Sequence, residues 1–123
     1  MRKQTAKQTA ITLAILHTLL SLMKWMYDFR IKHDFSEASM WDVIFIHIYY
    51  MQHSKGMSIT ALMMARYRRA TGYQALRERL DILIRKGIII QENRRMYPCD
   101  KILQEINSLE NPEALKMLAV NVA

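Results

Sequence analysis

The residues that do covalent or metal chemistry are present but do not group. His17, His33, His47, His53 and Cys99 are scattered, and no two of them share a helix face at a spacing of three or four. There is no Cys-x-x-Cys and no His-Glu-x-x-His, the spacings that hold zinc. Serine, histidine and aspartate all occur without the grouping a nucleophilic triad needs, and no glycine-rich loop is there to cradle a phosphate. The expectation is therefore no catalytic residue, no metal ligand and no cofactor. What does cluster is positive charge. Ser58 to Tyr97 holds Arg66, Arg68, Arg69, Arg77, Arg79, Arg85, Lys86, Arg94 and Arg95 against Glu78, Asp81 and Glu92, which is +6 of the net +7. Charge concentrated in this way is the footprint of a polyanion partner.

The elements that must position those charges can be read from capping and periodicity. Ser58 or Thr60 can cap a helix running to about Arg69, with Leu62, Met63, Ala65 and Arg66 at inner-face positions. Thr71 offers a second cap, with Gln74 at capping-box spacing. Leu76, Leu80, Leu83 and Ile84 then follow on one helical stripe, with Gln74, Glu78, Asp81 and Arg85 opposite. Lys86 sits in the last turn and Gly87 closes the helix. Ile88-Ile89-Ile90 reads as a short strand, Glu92-Asn93-Arg94-Arg95 as a turn, and Met96-Tyr97 as a return strand ended by Pro98.

Helix, turn, helix and two-stranded hairpin make up the winged helix-turn-helix plan. The run LIRKGIII resembles the end of the recognition helix in many regulators of that plan, and the nearest resemblance, over residues 36–98, is to the MarR group. The Asp-x-Arg element that this group carries in a longer wing is absent here. The resemblance implies binding to double-stranded DNA. A recognition helix from Thr71 to Lys86 would enter the major groove by its N-terminal residues, which makes Thr71, Tyr73, Gln74 and Arg77 the candidates for base contacts. Gln74 suits adenine N6 and N7, and Arg77 suits guanine O6 and N7 or a phosphate. An ion pair from Arg77 to Asp81 is the competing use of that arginine. Arg66, Arg68 and Arg69 are expected at phosphates, and Arg94 and Arg95 at the wing tip, where arginine enters a narrow minor groove. Glu78 and Asp81 oppose phosphate on the same helix.

The flanks complete the reading. Half of the 123 residues are apolar and only three are glycine, so one mainly helical domain is expected. Residues 5–33 read as one long helix, apolar around nearly its whole circumference from Ile11 to Met23. Such a helix must be buried on most sides. His17, Thr12, Thr18 and Ser21 interrupt the run and Lys7 and Lys24 bound it, which argues against a membrane span or a signal peptide. A partner chain can cover what one small body cannot, and a homodimer is the usual solution.

Ser36 caps a following helix with Trp41, Ile44, Phe45, Ile48 and Tyr49 as its apolar face, and Met57-Ser58-Ile59 forms a short edge strand. Pro98-Cys99-Asp100 starts another helix with Ile102, Leu103 and Ile106 inward. Asn111-Pro112-Glu113 starts a last one with Leu115, Leu118 and Ala119. In the MarR group the terminal helices of two chains interlace as the dimer interface.

The expected fold is thus mainly α: a winged helix-turn-helix with a short hairpin wing over residues 36–98, flanked by dimerisation helices at 1–35 and 99–123. The expected function is sequence-specific DNA binding by a cytoplasmic homodimer joined through Ile11–Met23 and the C-terminal helices, a transcriptional regulator and not an enzyme. The alternative is a winged-helix module serving replication, partition or protein–protein contact. The resemblance also implies a small-molecule effector, for which Trp25, Tyr27, Trp41 and Tyr49 are candidate pocket residues; lone Cys99 permits no intramolecular disulfide.

Overall fold

A computed structural model describes residues 6–66 and 72–109 of the chain. They form a mainly helical body with a small three-stranded antiparallel sheet. Helix α1 spans Ala6–His33, close to the expected bounds, and is about 42 Å long at 1.5 Å per residue. It ends where Asp34 turns left-handed (φ 57°) and the Phe35 N–H reaches back to the Arg30 carbonyl at 3.1 Å. Ser36 then caps α2 (Glu37–His53), its hydroxyl accepting from the Ser39 N–H at 3.1 Å, as its position before Glu37 predicts.

Helix α2 is the centre of the body. Met40, Val43, Ile44, Ile46 and Ile48 are buried on it, together with Ser39, Asp42 and His47. The expected apolar face differs: Trp41, Phe45 and Tyr49 are only half-buried, and Met40, Val43 and Ile46 lie deeper. The cause is the helix's location. Neighbours pack on almost its whole circumference, so no single stripe marks its inner side.

Strand β1 (Met57–Ser58) follows, then α3 (Ile59–Arg66), whose first turn is capped by Ser58 rather than Thr60: the Ser58 hydroxyl accepts from the Ala61 N–H at 3.1 Å. Helix α4 (Tyr73–Arg85) has its N-cap at Gly72, with no side-chain capping bond. This corrects the expected Thr71–Gln74 capping box: Gln74 donates to Glu78 instead, at 3.3 Å. The far end of α4 behaves as predicted. Gly87 adopts φ 74°, its N–H reaches the Ile84 carbonyl, and the Ile88 N–H reaches that of Leu83, both at 3.0 Å. That is a Schellman ending, completed by burial of both Ile88 and Leu83.

Strands β2 (Ile89–Glu92) and β3 (Arg95–Pro98) pair through a two-residue turn, Asn93-Arg94. The turn is shorter than the expected four residues because Glu92 and Arg95 are themselves paired. Both turn residues have positive φ, 50° and 64°, the geometry that matches a hairpin's right-handed twist. The β1 strand adds to β3, pairing Met57 with Met96, so the sheet order is β1-β3-β2. Gly56 lets the segment entering β1 lie against β3, since a Cβ there would lie 2.7 Å from the Tyr97 ring.

Helix α5 (Asp100–Asn107) starts as expected, and Ile102 and Ile106 are buried in the chain's own core. Leu103, on the same expected side, is half-buried. Residues expected in the last helix, including Leu115, Leu118 and Ala119, lie outside the described residues.

Helix α1 is long and apolar enough, by length and composition, to cross a bilayer. Its two faces are unlike, however. Thr18, Leu22, Met26 and Phe29 are buried against the body, while Leu13, Leu16, Leu20, Met23, Tyr27 and Ile31 are each half or more exposed.

His47 is fully buried on α2, and neither ring nitrogen has a hydrogen-bond partner among the described residues. Burial pushes its imidazole down to about 4, against a weaker opposing effect of Asn107. The folded state therefore stays neutral at pH values where the unfolded chain takes up a proton. Stability is complete above about 6.5 and is lost as pH falls towards 4, by roughly 3 kcal/mol from this group. Urea unfolding between pH 7.5 and 4 should show a His47→Leu variant losing less stability than the parent across that window. Parallel curves would contradict the neutral imidazole.

Candidate nucleic-acid interface

Helix α4 presents the expected contrast between faces. Leu76, Leu80 and Leu83 are fully buried, while Tyr73 (50% exposed), Gln74, Glu78, Asp81 and Arg85 face solvent. Tyr73 and Gln74 thus open the helix on a polar, accessible turn. Arg77 is half-buried and pairs with Asp81 at 3.3 Å, the competing use foreseen from the i,i+4 spacing. A surface pair of this kind is worth about 0.3–0.5 kcal/mol, so it yields readily to a phosphate.

The described basic side chains of residues 58–97 divide into distinct uses. Arg66 is 3% exposed, and its Nε lies 3.1 Å from the Asp42 carboxylate. It also donates to the Ala38 carbonyl at 3.4 Å and lies over the Phe45 ring. Its expected role at a phosphate is corrected: it stands on the inner face of α3 and is enclosed there. Arg79 makes the second claim on Asp42, through Nε at 2.7 Å and Nη2 at 3.4 Å. Asp42 itself is completely buried. Burial raises its carboxyl above the ordinary range, while the Arg79 hydrogen bond and the charges of Arg79 and Arg66 pull the other way.

At the hairpin, Arg95 is half-buried and donates to the Gly56 carbonyl at 2.9 Å. It ties the sheet to the segment after α2 instead of reaching outward as expected. Arg94 is exposed at the turn and makes no hydrogen bond or ion pair among the described residues. Arg85 bonds the Asp81 carbonyl at 3.4 Å, and Lys86 lies 4.9 Å from the Phe35 ring centre. Arg68, Arg69 and Thr71 lie outside the described residues. The outward set that remains is Tyr73, Gln74, Arg77 and Arg94.

The Asp42 node was not foreseen. Its signal was one acid inside MWDVIFIHI, a run otherwise nearly free of charge, where an acid is either misplaced or paired. The expected pocket aromatics divide. Tyr27 and Trp41 share a cleft of about 230 Å³ between α1 and α2, with Met23, Met26, Arg30, Glu37 and Met40. Tyr49 lines a separate hollow beside Phe45 and Met57, and Trp25 packs on Phe29 at 5.0 Å between ring centres. Among the described residues no three of His, Cys, Asp and Glu gather as a metal would require.

Replacing Asp42 by Asn should destabilise the fold by about 3 kcal/mol, because Arg66 is then left buried without its counter-charge. Denaturant unfolding measures this, and Arg79→Ala, at a partly exposed site, should cost less. Equal small effects would show that the node is not what joins α2 to α3 and α4.

No family model, no curated protein and no solved structure matches this chain.

Proposed function

We propose that the chain is a winged helix-turn-helix protein, similar in plan to the MarR group, that binds double-stranded DNA sequence-specifically as a homodimer and acts as a transcriptional regulator. The observation that carries this is the N-terminal turn of α4. It offers Tyr73 and Gln74 to solvent, with Arg77 one turn on, while Leu76, Leu80 and Leu83 anchor the opposite face. A helix held from behind, with adaptable hydrogen-bonding groups at its N-terminal end, is suited to reading base edges in a major groove.

The hairpin supports the same reading. Its tip carries Arg94 in the open, on a sheet whose position is held by Arg95 and by Gly56 under Tyr97. Arg94 is then the wing contact, and Gln74 the residue that discriminates among base pairs. The function needs no chemistry on the DNA, only occupancy of a site.

Binding to duplex DNA should be present at low salt and weaken steeply as salt rises, by a log–log slope of about −0.9 per phosphate neutralised. Arg94→Ala should weaken all duplexes alike, by about tenfold, and reduce that slope by about 2 in a dimer. Gln74→Ala should instead narrow the gap between preferred and random sites, by about 1–3 kcal/mol per contacted base pair. Fluorescence anisotropy titrations measure all three. No duplex binding at low salt would overturn the function, and equal effects of both substitutions on every sequence would overturn the groove assignment.

A further inference from the structure

The residues left exposed on α1 are not scattered. Leu13, Leu16, Leu20, Met23, Tyr27 and Ile31 are each between 50% and 61% exposed. Their spacing of three, four, three, four and four gives a narrow seam along one side of the helix, the pattern of a coiled-coil contact. It extends about 27 Å. The opposite side, through Thr18, Leu22, Met26 and Phe29, is closed by the chain's own core.

We infer that this seam pairs with the same seam of a second copy, the two α1 helices running antiparallel about a twofold axis between Leu20 and Met23. The inference rests on the proposed homodimer and names the surface and geometry that would form it. Four observations carry it.

The first is area. Six large side chains at this exposure offer about 100 Å² each, hence roughly 1,200 Å² for the pair, at the lower end of stable interfaces. The second is the spacing itself. Reversed about its midpoint, the seam sets Leu13 against the partner's Ile31, Leu16 against the partner's Tyr27, and Leu20 against the partner's Met23. Each bulky residue meets another at every level.

The third is charge. The last turn of α1 carries Arg30, Lys32 and His33, and its first turn has no acid. Parallel pairing would put Arg30 beside the partner's Arg30 at the basic end of both helices. Reversal separates those ends and opposes the helix dipoles. The fourth is shape. Met23, Tyr27 and Arg30 form one wall of the 230 Å³ cleft whose other wall is Glu37, Met40 and Trp41. In the reversed register the partner's Leu16 lies level with that cleft, which has room for a leucine side chain.

A lipid surface is the other apolar occupant. The seam is narrow, and one flank of it carries His17, Lys24 and Asp28, all exposed, which suits a single helix better than a bilayer.

The test is thiol cross-linking in a Cys99→Ser background. Leu16→Cys and Tyr27→Cys proteins are mixed, refolded together and oxidised. The expected product is the mixed 16–27 dimer, with neither protein forming it alone. Leu16→Cys linked to itself would overturn the antiparallel pairing. Sedimentation of Leu20→Glu should show dimerisation weakened by about 100-fold, towards monomer, with circular dichroism unchanged, since residue 20 is not part of the protomer's own core. A dimer of unchanged mass would overturn the seam while leaving the homodimer standing, and a monomeric parent would overturn both. A parent that floats with zwitterionic vesicles and does not dimerise would assign the seam to lipid.

Discussion

Asp42 is the constraint on which the arrangement of helices depends. A carboxylate with no access to solvent cannot be left alone, because its desolvation is never recovered without counter-charge and hydrogen bonds. Here it takes Arg79 from α4 and Arg66 from α3, so a single atom pair on α2 fixes where two other helices lie. Apolar packing of Leu62, Leu76 and Leu80 supplies the bulk of the cohesion. Packing alone tolerates sliding, however, and a two-pronged guanidinium contact does not. The ion cluster therefore does for position what the leucines do for stability.

That arrangement changes what the basic charge of residues 58–97 means. Arg66 and Arg79 are turned inward, Arg95 is held by a backbone carbonyl, and Arg77 is loosely paired. Among the described residues the positive field facing outward is smaller than the sequence count suggests: Arg94 at the turn, Arg77 behind a weak pair, and Arg85 and Lys86 at the far end of α4. The proposed DNA contact would rely on geometry more than on bulk charge, with long-range attraction drawn from the net +7 of the chain.

Much of the fold was legible because its signals are local. The Gly87 stop, the Ser36 cap and the Leu76–Leu80–Leu83 stripe each act within one or two turns, and each appears where expected. The inner side of α2 was illegible for the opposite reason: a helix surrounded by neighbours carries no periodic mark. Arg66 shows the same limit at the site. Its inner-face position and its charge gave conflicting indications, and only the presence of Asp42 on another helix decides between them. Likewise, Ile102 and Ile106 read as apolar and helical from the sequence. Whether they close their own core or a partner's depends on the tertiary fold. The apolar circumference of α1 concealed two faces with separate destinations, one inside the protomer and one in the open.

The most direct measurement is selection of bound sequences from a pool of random duplex DNA at moderate salt. A homodimer reading the groove through α4 predicts enrichment of an inverted repeat, its half-sites about one helical turn apart, centre to centre. Recovery of a pool no different from the input, or no retained DNA at all, would contradict sequence-specific recognition by this chain.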